Sequence, residues 1–321
     1  MFNKLKKNLI ISILLTVLIF SLFGVLTDFN SIINSFKKFN WFLLPVLLSL
    51  SFGNYVFRFI KWEYYLKLLK IKIPRLLSVK IFFSGLAMSA SPAKMGEVLK
   101  SFLLKEILNE PISKTASIII AERLTDLLSL TFLALVGGLY FHYNNVLIYL
   151  TASIFIILIT VISNRAIAAK IIMLSAKVPF IKKQISNIHN LYESAYILLQ
   201  PKAIFSMLVV SIFSWFFECF GFYLILFNFQ QSFSILWSTF VYAFSIIAGA
   251  VSMLPGGLGV TEGSLSLILI KGGIPQETAI ATTIIIRMVT LWFAIILGLI
   301  VLFFLRKEYN NSLNKSRSKN D

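Results

Sequence analysis

A single cysteine, Cys219, leaves this chain of 321 residues with no possible disulfide framework and no cysteine-rich metal site. Its two histidines, His142 and His189, lie far apart in sequence, so no histidine metal centre is expected either. Charge is scarce as well. Charged residues make up 13% of the chain, where soluble globular proteins approach a quarter, and this argues against a soluble domain. Acidic residues are the scarcest, 13 against 30 lysines and arginines, for a net charge of +17. In a soluble protein that imbalance would suggest nucleic acid. Here 58% of residues are hydrophobic and the mean hydropathy is +0.86, so the basic residues read as cytoplasmic loops under the positive-inside bias. Neither a nucleic-acid partner nor a cofactor is expected.

What the sequence does have is long apolar runs. Residues 9–27 carry no charge, which matches the ~20 residues a helix needs to cross the hydrocarbon. The run is long and no A-x-A-like site follows it, so it reads as a retained span rather than a signal peptide. Further spans are expected at 41–60, 117–140, 146–163, 203–227 and 280–305. Two other apolar regions, 76–105 and 236–270, are broken near their middles at Ser91-Pro92 and Leu254-Pro255. Helix, break and short helix is the pattern of a re-entrant hairpin, tolerated where it is buried in protein or lines a cavity.

Loop charge orients these spans. The loop 61–75 carries Lys61, Lys67, Lys70, Lys72 and Arg75, and the loop 164–202 carries Arg165, Lys170, Lys177, Lys182, Lys183 and Lys202. Both belong on the cytoplasmic side, with both termini. The loops 141–145 and 228–235 lack Lys and Arg and belong outside. The fold expected is all-α and polytopic, with about six transmembrane helices and two re-entrant hairpins in one membrane domain over 1–308. A short basic cytoplasmic tail, 309–321, follows. Residues 180–199 read as an amphipathic helix on the cytoplasmic interface.

The two broken regions are related. Aligning SASPAKMGEVLKSFLL with SMLPGGLGVTEGSLSLIL sets Pro92 on Pro255 and Gly96 on Gly259, each 163 residues apart. Pro111 then falls on Pro275 and Arg123 on Arg287, each 164 apart. A repeat unit over 41–140 and a second over 203–305, joined through the linking span 146–163 and the loop 164–202, therefore lie in opposite orientations. Inverted repeats with broken helices near the midplane are a recurring transporter architecture.

Ionisable groups within apolar runs are functional candidates by default. Each elbow is followed by a carboxylate, Glu97 or Glu262, and about 25 residues later by an arginine, Arg123 or Arg287. Glu122 and Asp126 in AERLTDLL are four apart on one helical face. Two compatible readings are open. The arginines pair with Glu97 and Glu262 to hold each hairpin to its helix, or they face a cavity and contact an anionic head group. Glu218 reads either as a hydrogen-bonded structural glutamate or as a proton or cation site. Pro92 and Gly96 form one elbow; Pro255, Gly256, Gly257 and Gly259 form the other. The second superficially resembles a phosphate-cradling loop but lacks the Gly-Lys-Ser/Thr ending, and local binding of an anion stays open beside simple permission of the break. Arg58 and Lys61-Trp62-Glu63 at the end of the second span read as interfacial anchoring ahead of head-group recognition.

The stretches PAKMGEVLKSFLL, AERLTDLL and LPGGLGVTEGSL resemble the signature of the lysylphosphatidylglycerol synthase transmembrane-region family. These are flippase-like integral domains found alone or fused to synthetases and glycosyltransferases. The resemblance spans about residues 5–305. Family members often carry Gly-Arg where this chain has Ala93-Lys94, which keeps the positive charge and adds Lys94 to the candidate lipid-binding residues. The resemblance implies movement of a lipid between leaflets, or a place beside lipid-linked sugar chemistry. Only RKEYNNSLNKSRSKND follows the last span, so aminoacyl transfer is not carried over and no enzyme activity is expected. The expected function is translocation of a polar-headed phospho- or polyprenyl-linked lipid in the cell membrane. The expected partners are that lipid, with a polar or anionic head group, and a lipid-modifying enzyme or glycosyltransferase. Two alternatives stay open: a solute carrier driven by protons through Glu218 or Glu262, and a non-catalytic glycosyltransferase partner.

Overall fold

The computed structural model describes residues 29–91, 95–140, 153 and 185–317. The expected span 9–27, the span 146–163 apart from residue 153, the loop 164–184, and Pro92, Ala93 and Lys94 lie outside them. Among the described residues every regular element is helical. In chain order they are α1 (Phe29–Lys38), α2 (Leu44–Leu68), α3 (Arg75–Leu86), α4 (Leu99–Leu108), α5 (Ile112–Tyr140), α6 (Ile185–Leu198), α7 (Pro201–Asn228), α8 (Ile235–Val251), α9 (Val260–Lys271), α10 (Gln276–Arg287) and α11 (Phe293–Arg317). A 3-10 turn, Met95–Val98, leads into α4, and a π turn, Met288–Trp292, joins α10 to α11.

Among the described residues three continuous helical stretches are long and apolar enough to cross a bilayer: Trp41–Leu68, Pro201–Asn228 and Gln276–Glu308. The 29-residue α5 also has the length, although it carries Glu122, Arg123 and Asp126 within its apolar sequence. The hairpin arms are shorter. α3 has 12 residues, α4 has 10 and α9 has 12. At ~1.5 Å per residue these reach about 15–18 Å, roughly half of the hydrocarbon thickness. The fourth arm, α8, has 17 residues and reaches about 25 Å, so α3, α4 and α9 are each too short to cross alone, as the proline-glycine breaks imply.

Local chemistry sets these boundaries in matching ways in the two units. Pro45 and Pro201 lie in the first turns of α2 and α7, where a missing N–H costs nothing. Both helices end in the same turn. Lys70 (φ 56°) and Gln230 (φ 57°) are left-handed, and the amides of Ile71 and Gln231 return to the carbonyls of Leu66 and Leu226. These equivalent positions are 160 apart, whereas Pro92 and Pro255 at the elbows are 163 apart. α8 is longer than α3, which takes up that difference.

The contacts between α2 and α7 establish that the units are inverted. Leu47 and Leu50 meet Gly221, Gly53 meets Phe217, Phe57 stacks on Phe213, and Lys61 reaches Ser211. Position rises along one helix as it falls along the other, so the two equivalent helices run antiparallel. At the crossing, Asn54 Nδ2 donates to the Ser214 carbonyl at 2.9 Å, and Ser214 Oγ donates to the Asn54 carbonyl at 3.1 Å. That reciprocal pair, 160 residues apart, marks a pseudo-two-fold axis.

The units interlock rather than sit side by side. α5 packs on α8, and its counterpart α11 packs on α3. Both crossings are close. A Cβ at Gly137 would come within 2.6 Å of the Leu236 carbonyl, and one at Gly298 within 2.1 Å of the Ala87 nitrogen. Among the described residues two large apolar cores result, one around the first hairpin with α11 and one around the second hairpin with α10, and a small third cluster of Ala90, Leu258, Leu291 and Ile295 lies at the elbows. α6 lays Ala195 and Leu198, with Leu199 just past its end, against the protein and packs on α5.

Candidate functional site

Between the two cores lies a polar layer built by stripes on facing helices. On α2 the residues Ser51, Asn54, Arg58, Lys61 and Tyr65 recur every three or four positions, and all are buried. α7 answers with Ser211, Ser214 and Glu218, and α5 with Glu122, Thr125, Asp126 and Ser129. Buried charges persist only when paired and hydrogen-bonded, and here they are.

The first elbow delivers Glu97 into this layer. Its carboxylate takes Arg58 Nη2 on Oε1 at 3.1 Å and Arg123 Nη2 on Oε2 at 2.8 Å, with Lys100 Nζ at 3.7 Å. Lys100 also donates to Glu122 Oε2 at 2.6 Å and lies 4.7 Å above the Trp62 ring. Gly85 makes that possible, because a Cβ there would fall 2.6 Å from Lys100 Cγ. Deeper in, Lys61 is 1% exposed and donates to Asp126 Oδ1 at 2.6 Å, Ser211 Oγ at 2.6 Å and Thr125 Oγ1 at 2.9 Å. Arg123 Nη1 lies 3.6 Å from the other oxygen of Asp126.

The second elbow is simpler. Glu262, in the first turn of α9, accepts from the Gly259 amide on Oε2 at 2.6 Å and from Arg287 Nε on Oε1 at 2.6 Å. Arg287 Nη2 also donates to the Gly256 carbonyl at 2.7 Å. Gly256, Gly257 and Gly259 have φ of 61°, 68° and 87°, values that an L side chain rarely adopts. The elbows touch. The Gly256 amide approaches the Ser91 carbonyl at 3.4 Å, and a Cβ on Gly256 would lie 3.2 Å from Ala90 Cα.

Arg58, Arg123 and Arg287 all line one cavity of about 420 Å³ that reaches from the pseudo-two-fold axis to the second elbow. Asp126, Glu218, Tyr55 and Tyr242 complete its polar end. Tyr55 donates to the Thr290 carbonyl in the π turn at 2.7 Å, and Tyr242 donates to Glu218 Oε2 at 2.7 Å. The other wall is apolar. Ile120, Leu124 and Leu127 of α5 face Ile246, Met253 and Leu254 at the end of α8. α5 and α8 meet tightly near Gly137, and toward the other end of α5 several lining residues are exposed. There Ile120 is 38%, Leu254 44% and Met253 65% exposed.

The expected residues thus meet in two clusters. Arg123 and Arg287 face the cavity, Glu97 and Glu262 stand behind them, Glu122 belongs to Lys100, and Asp126 to Lys61. Lys94 and Pro92 lie outside the described residues. Two expectations change. Arg58, Lys61 and Trp62 are not an interfacial anchor: α2 continues to Leu68, Trp62 is buried and donates to Ser78, and Arg58 and Lys61 join the polar layer. The anion that the glycine elbow meets is the Glu262 carboxylate of its own hairpin. Its amides at Gly256, Gly257 and Gly259 go to Ser91, Leu254 and Glu262, and it offers the Gly256 carbonyl to Arg287 instead. The residues missed were Arg58, Lys61 and Lys100. The periodic polar stripe on α2 was the signal for the first two. Among the described residues no three His, Cys, Asp or Glu side chains converge as metal ligands would.

Comparisons with known proteins agree in kind. A UPF0104 membrane protein of Methanocaldococcus jannaschii is 25% identical over 68% of this chain and 94% of its own. A second from the same organism is 22% identical over 96% of each chain. One from Pyrococcus horikoshii is 24% identical over 77% of this chain and 82% of its own. The lysylphosphatidylglycerol synthase transmembrane region is matched across residues 9–298, and to that family of integral membrane proteins this chain belongs.

Proposed function

We propose that this protein moves a membrane lipid with an anionic, phosphate-bearing head group between leaflets, without chemistry on the lipid. One observation carries the reading: three guanidinium groups line the polar end of a cavity whose opposite wall is apolar and exposed at its mouth. Guanidinium matches phosphate geometry through paired N–H donors. Glu97 and Glu262 hold these cations while the cavity is empty. A phosphate entering from the side competes for the same N–H groups, and the acyl chains stay against Ile120, Leu124, Met253 and Leu254. Exchange between internal carboxylate and lipid phosphate, repeated from either side of the pseudo-two-fold axis, gives alternating access of the kind inverted repeats support.

In this reading the protein sits in the cell membrane with both termini in the cytoplasm. A lipid-modifying enzyme or glycosyltransferase would supply or consume the lipid. The test is lipid movement in reconstituted proteoliposomes, comparing the native protein with Glu262→Gln and Arg287→Ala. Head-group-dependent movement, lost in both variants while the protein still inserts, is the expected result. Normal movement in both would remove the site, and no movement by native protein would turn the reading toward a solute carrier.

A further inference from the structure

The turn joining α2 to α3 displays four cations. Lys67, Lys70, Lys72 and Arg75 are all exposed, and none forms an ion pair among the described residues. The backbone fixes where they point. Lys70 is left-handed, at φ 56°, and the Ile71 amide returns to the Leu66 carbonyl at 3.0 Å. Leu69 and Ile71 are 5% exposed and pack into the core around the first hairpin. Lys70 and Lys72, which alternate with them, therefore face outward. Arg75 opens α3, where the helix dipole favours an acid rather than a base.

The second unit makes the same turn without charge. The equivalent positions, 160 residues on, are Phe227, Gln230, Ser232 and Ile235. Gln230 is left-handed at φ 57°, and the Gln231 amide returns to the Leu226 carbonyl at 3.0 Å. Neither the left-handed residue nor the amide that closes the turn therefore calls for a lysine or an arginine. The cations of the first unit answer to what lies outside the protein.

Their depth says what that is. The helical stretch that ends at Leu68 has 28 residues and runs about 42 Å, the thickness of a bilayer with its head groups. Its end, where the cations begin, therefore lies among head groups. Leu76, 68% exposed in the first turn of α3, sets an apolar side chain beside them. Two carboxylates near the turn are engaged elsewhere. Ser78 Oγ donates to Glu63, and Lys80 Nζ donates to both oxygens of Glu308 at 2.6 and 2.8 Å. Four cations between positions 67 and 75, with an apolar neighbour, form the pattern that anionic lipid attracts.

We infer that this turn is a binding surface for anionic phospholipid of the leaflet it faces, separate from the cavity. Lys67, Lys70, Lys72 and Arg75 hold the negative head groups, and Leu76 rests among the acyl chains below them. No bond of the lipid changes. A cation at such a surface favours anionic lipid about fivefold, and its reach is screened beyond about 8 Å at physiological salt. The surface stands whether or not the cavity moves lipid.

Fluorescence quenching at a chosen site of the full chain tests this. A bimane label is placed on Leu76→Cys, with Phe213→Cys in the middle of α7, 56% exposed, as the reference. Both carry Cys219→Ala. The vesicles are phosphatidylcholine with the same minor share of either dibrominated phosphatidylserine or dibrominated phosphatidylcholine. At Leu76→Cys the serine lipid should quench with about fivefold higher apparent affinity, and at Phe213→Cys the two should match. Salt of about 1 M, where the Debye length is about 3 Å, should remove the preference. Replacing the four cations together, as Lys67→Gln, Lys70→Gln, Lys72→Gln and Arg75→Gln, should remove it as well. Equal quenching by the two lipids at Leu76→Cys would overturn the inference. So would a preference that survives the salt or the four substitutions, or one of the same size at Phe213→Cys. Arg287→Ala should keep the preference, and its loss there would overturn the surface by assigning the anionic lipid to the cavity. The comparison of the two labelled sites and the salt dependence decide the matter even where the fourfold variant does not fold.

Discussion

Lys61 and Asp126, 65 residues apart on α2 and α5, meet at 2.6 Å in the interior with Ser211 of α7 closing the cluster. Both are buried, and the pair fastens three long helices at the depth of the cavity. Replacing Lys61 with Met leaves Asp126 buried beside Arg123 without its closer partner. That should cost about 3–5 kcal/mol. The double variant Lys61→Met/Asp126→Leu should recover most of the loss, because similar-sized apolar pairs replace buried ion pairs well. Thermal unfolding in detergent checks both. A single variant as stable as the native protein would show that the pair holds nothing together.

Arg287 bridges the Glu262 carboxylate and the Gly256 carbonyl through two nitrogens of one rigid plane. A lysine has one ammonium and cannot reproduce that fork. Arg287→Lys should slow lipid movement about tenfold, the scale of losing one well-placed charged hydrogen bond. Arg123→Lys should be milder, because Arg58 also contacts Glu97. Initial rates in proteoliposomes give the comparison, and equal rates for both lysine variants and the native protein would dismiss the fork.

Two glycines eight residues or fewer from the second elbow's proline should respond in opposite directions. Gly257 has φ 68°, and a Cβ there would lie 2.6 Å from Thr261 Oγ1. Gly257→Ala should destabilise by about 1–3 kcal/mol, from left-handed strain and overpacking together. Gly263 sits in α9 with no atom within 4 Å of an added Cβ. Gly263→Ala should stabilise by about 0.5–1 kcal/mol through helix propensity. Paired melting curves decide it, and stabilisation by both substitutions would mean the elbow is not constrained as drawn.

The hairpins and their arginines were legible because proline and glycine are rare breakers in an apolar chain. Arg287 was legible because a lone charge in such a run demands a partner, and Arg123 because it falls on Arg287 in the repeat. Arg58 and Lys61 were not, since beside Trp62 and Lys67 they have the composition of an interfacial belt. Only the packing of α5 and α7 turns them inward. Lys100 was hidden for a similar reason: three residues from Glu97 it reads as a local surface pair, yet Gly85 and Trp62 from other elements make its burial possible. The inversion was legible from loop charge, while the reciprocal Asn54–Ser214 contact that marks its axis needed the coordinates.

The surroundings of the exposed lining residues of α5 and the end of α8 separate a lipid carrier from a solute carrier, since they decide whether the cavity meets acyl chains or water. Ile120 and Met253, 38% and 65% exposed at its mouth, are the positions to probe. The native Cys219 is buried, so spin labels can be placed on Ile120→Cys and Met253→Cys in a background where Cys219 is alanine. Oxygen concentrates in hydrocarbon and a neutral nickel chelate stays in water, so the ratio of their relaxation effects reads each label's surroundings. Phe303 of α11, 66% exposed, is the lipid-facing reference. Both labels should match Phe303→Cys in favouring oxygen, because a contiguous apolar wall this exposed in a membrane protein is stabilised against hydrocarbon. Preference for the nickel chelate at both positions would mean that the cavity opens to water. The arginines would then serve a soluble anion, and the acyl-chain wall would lose its purpose.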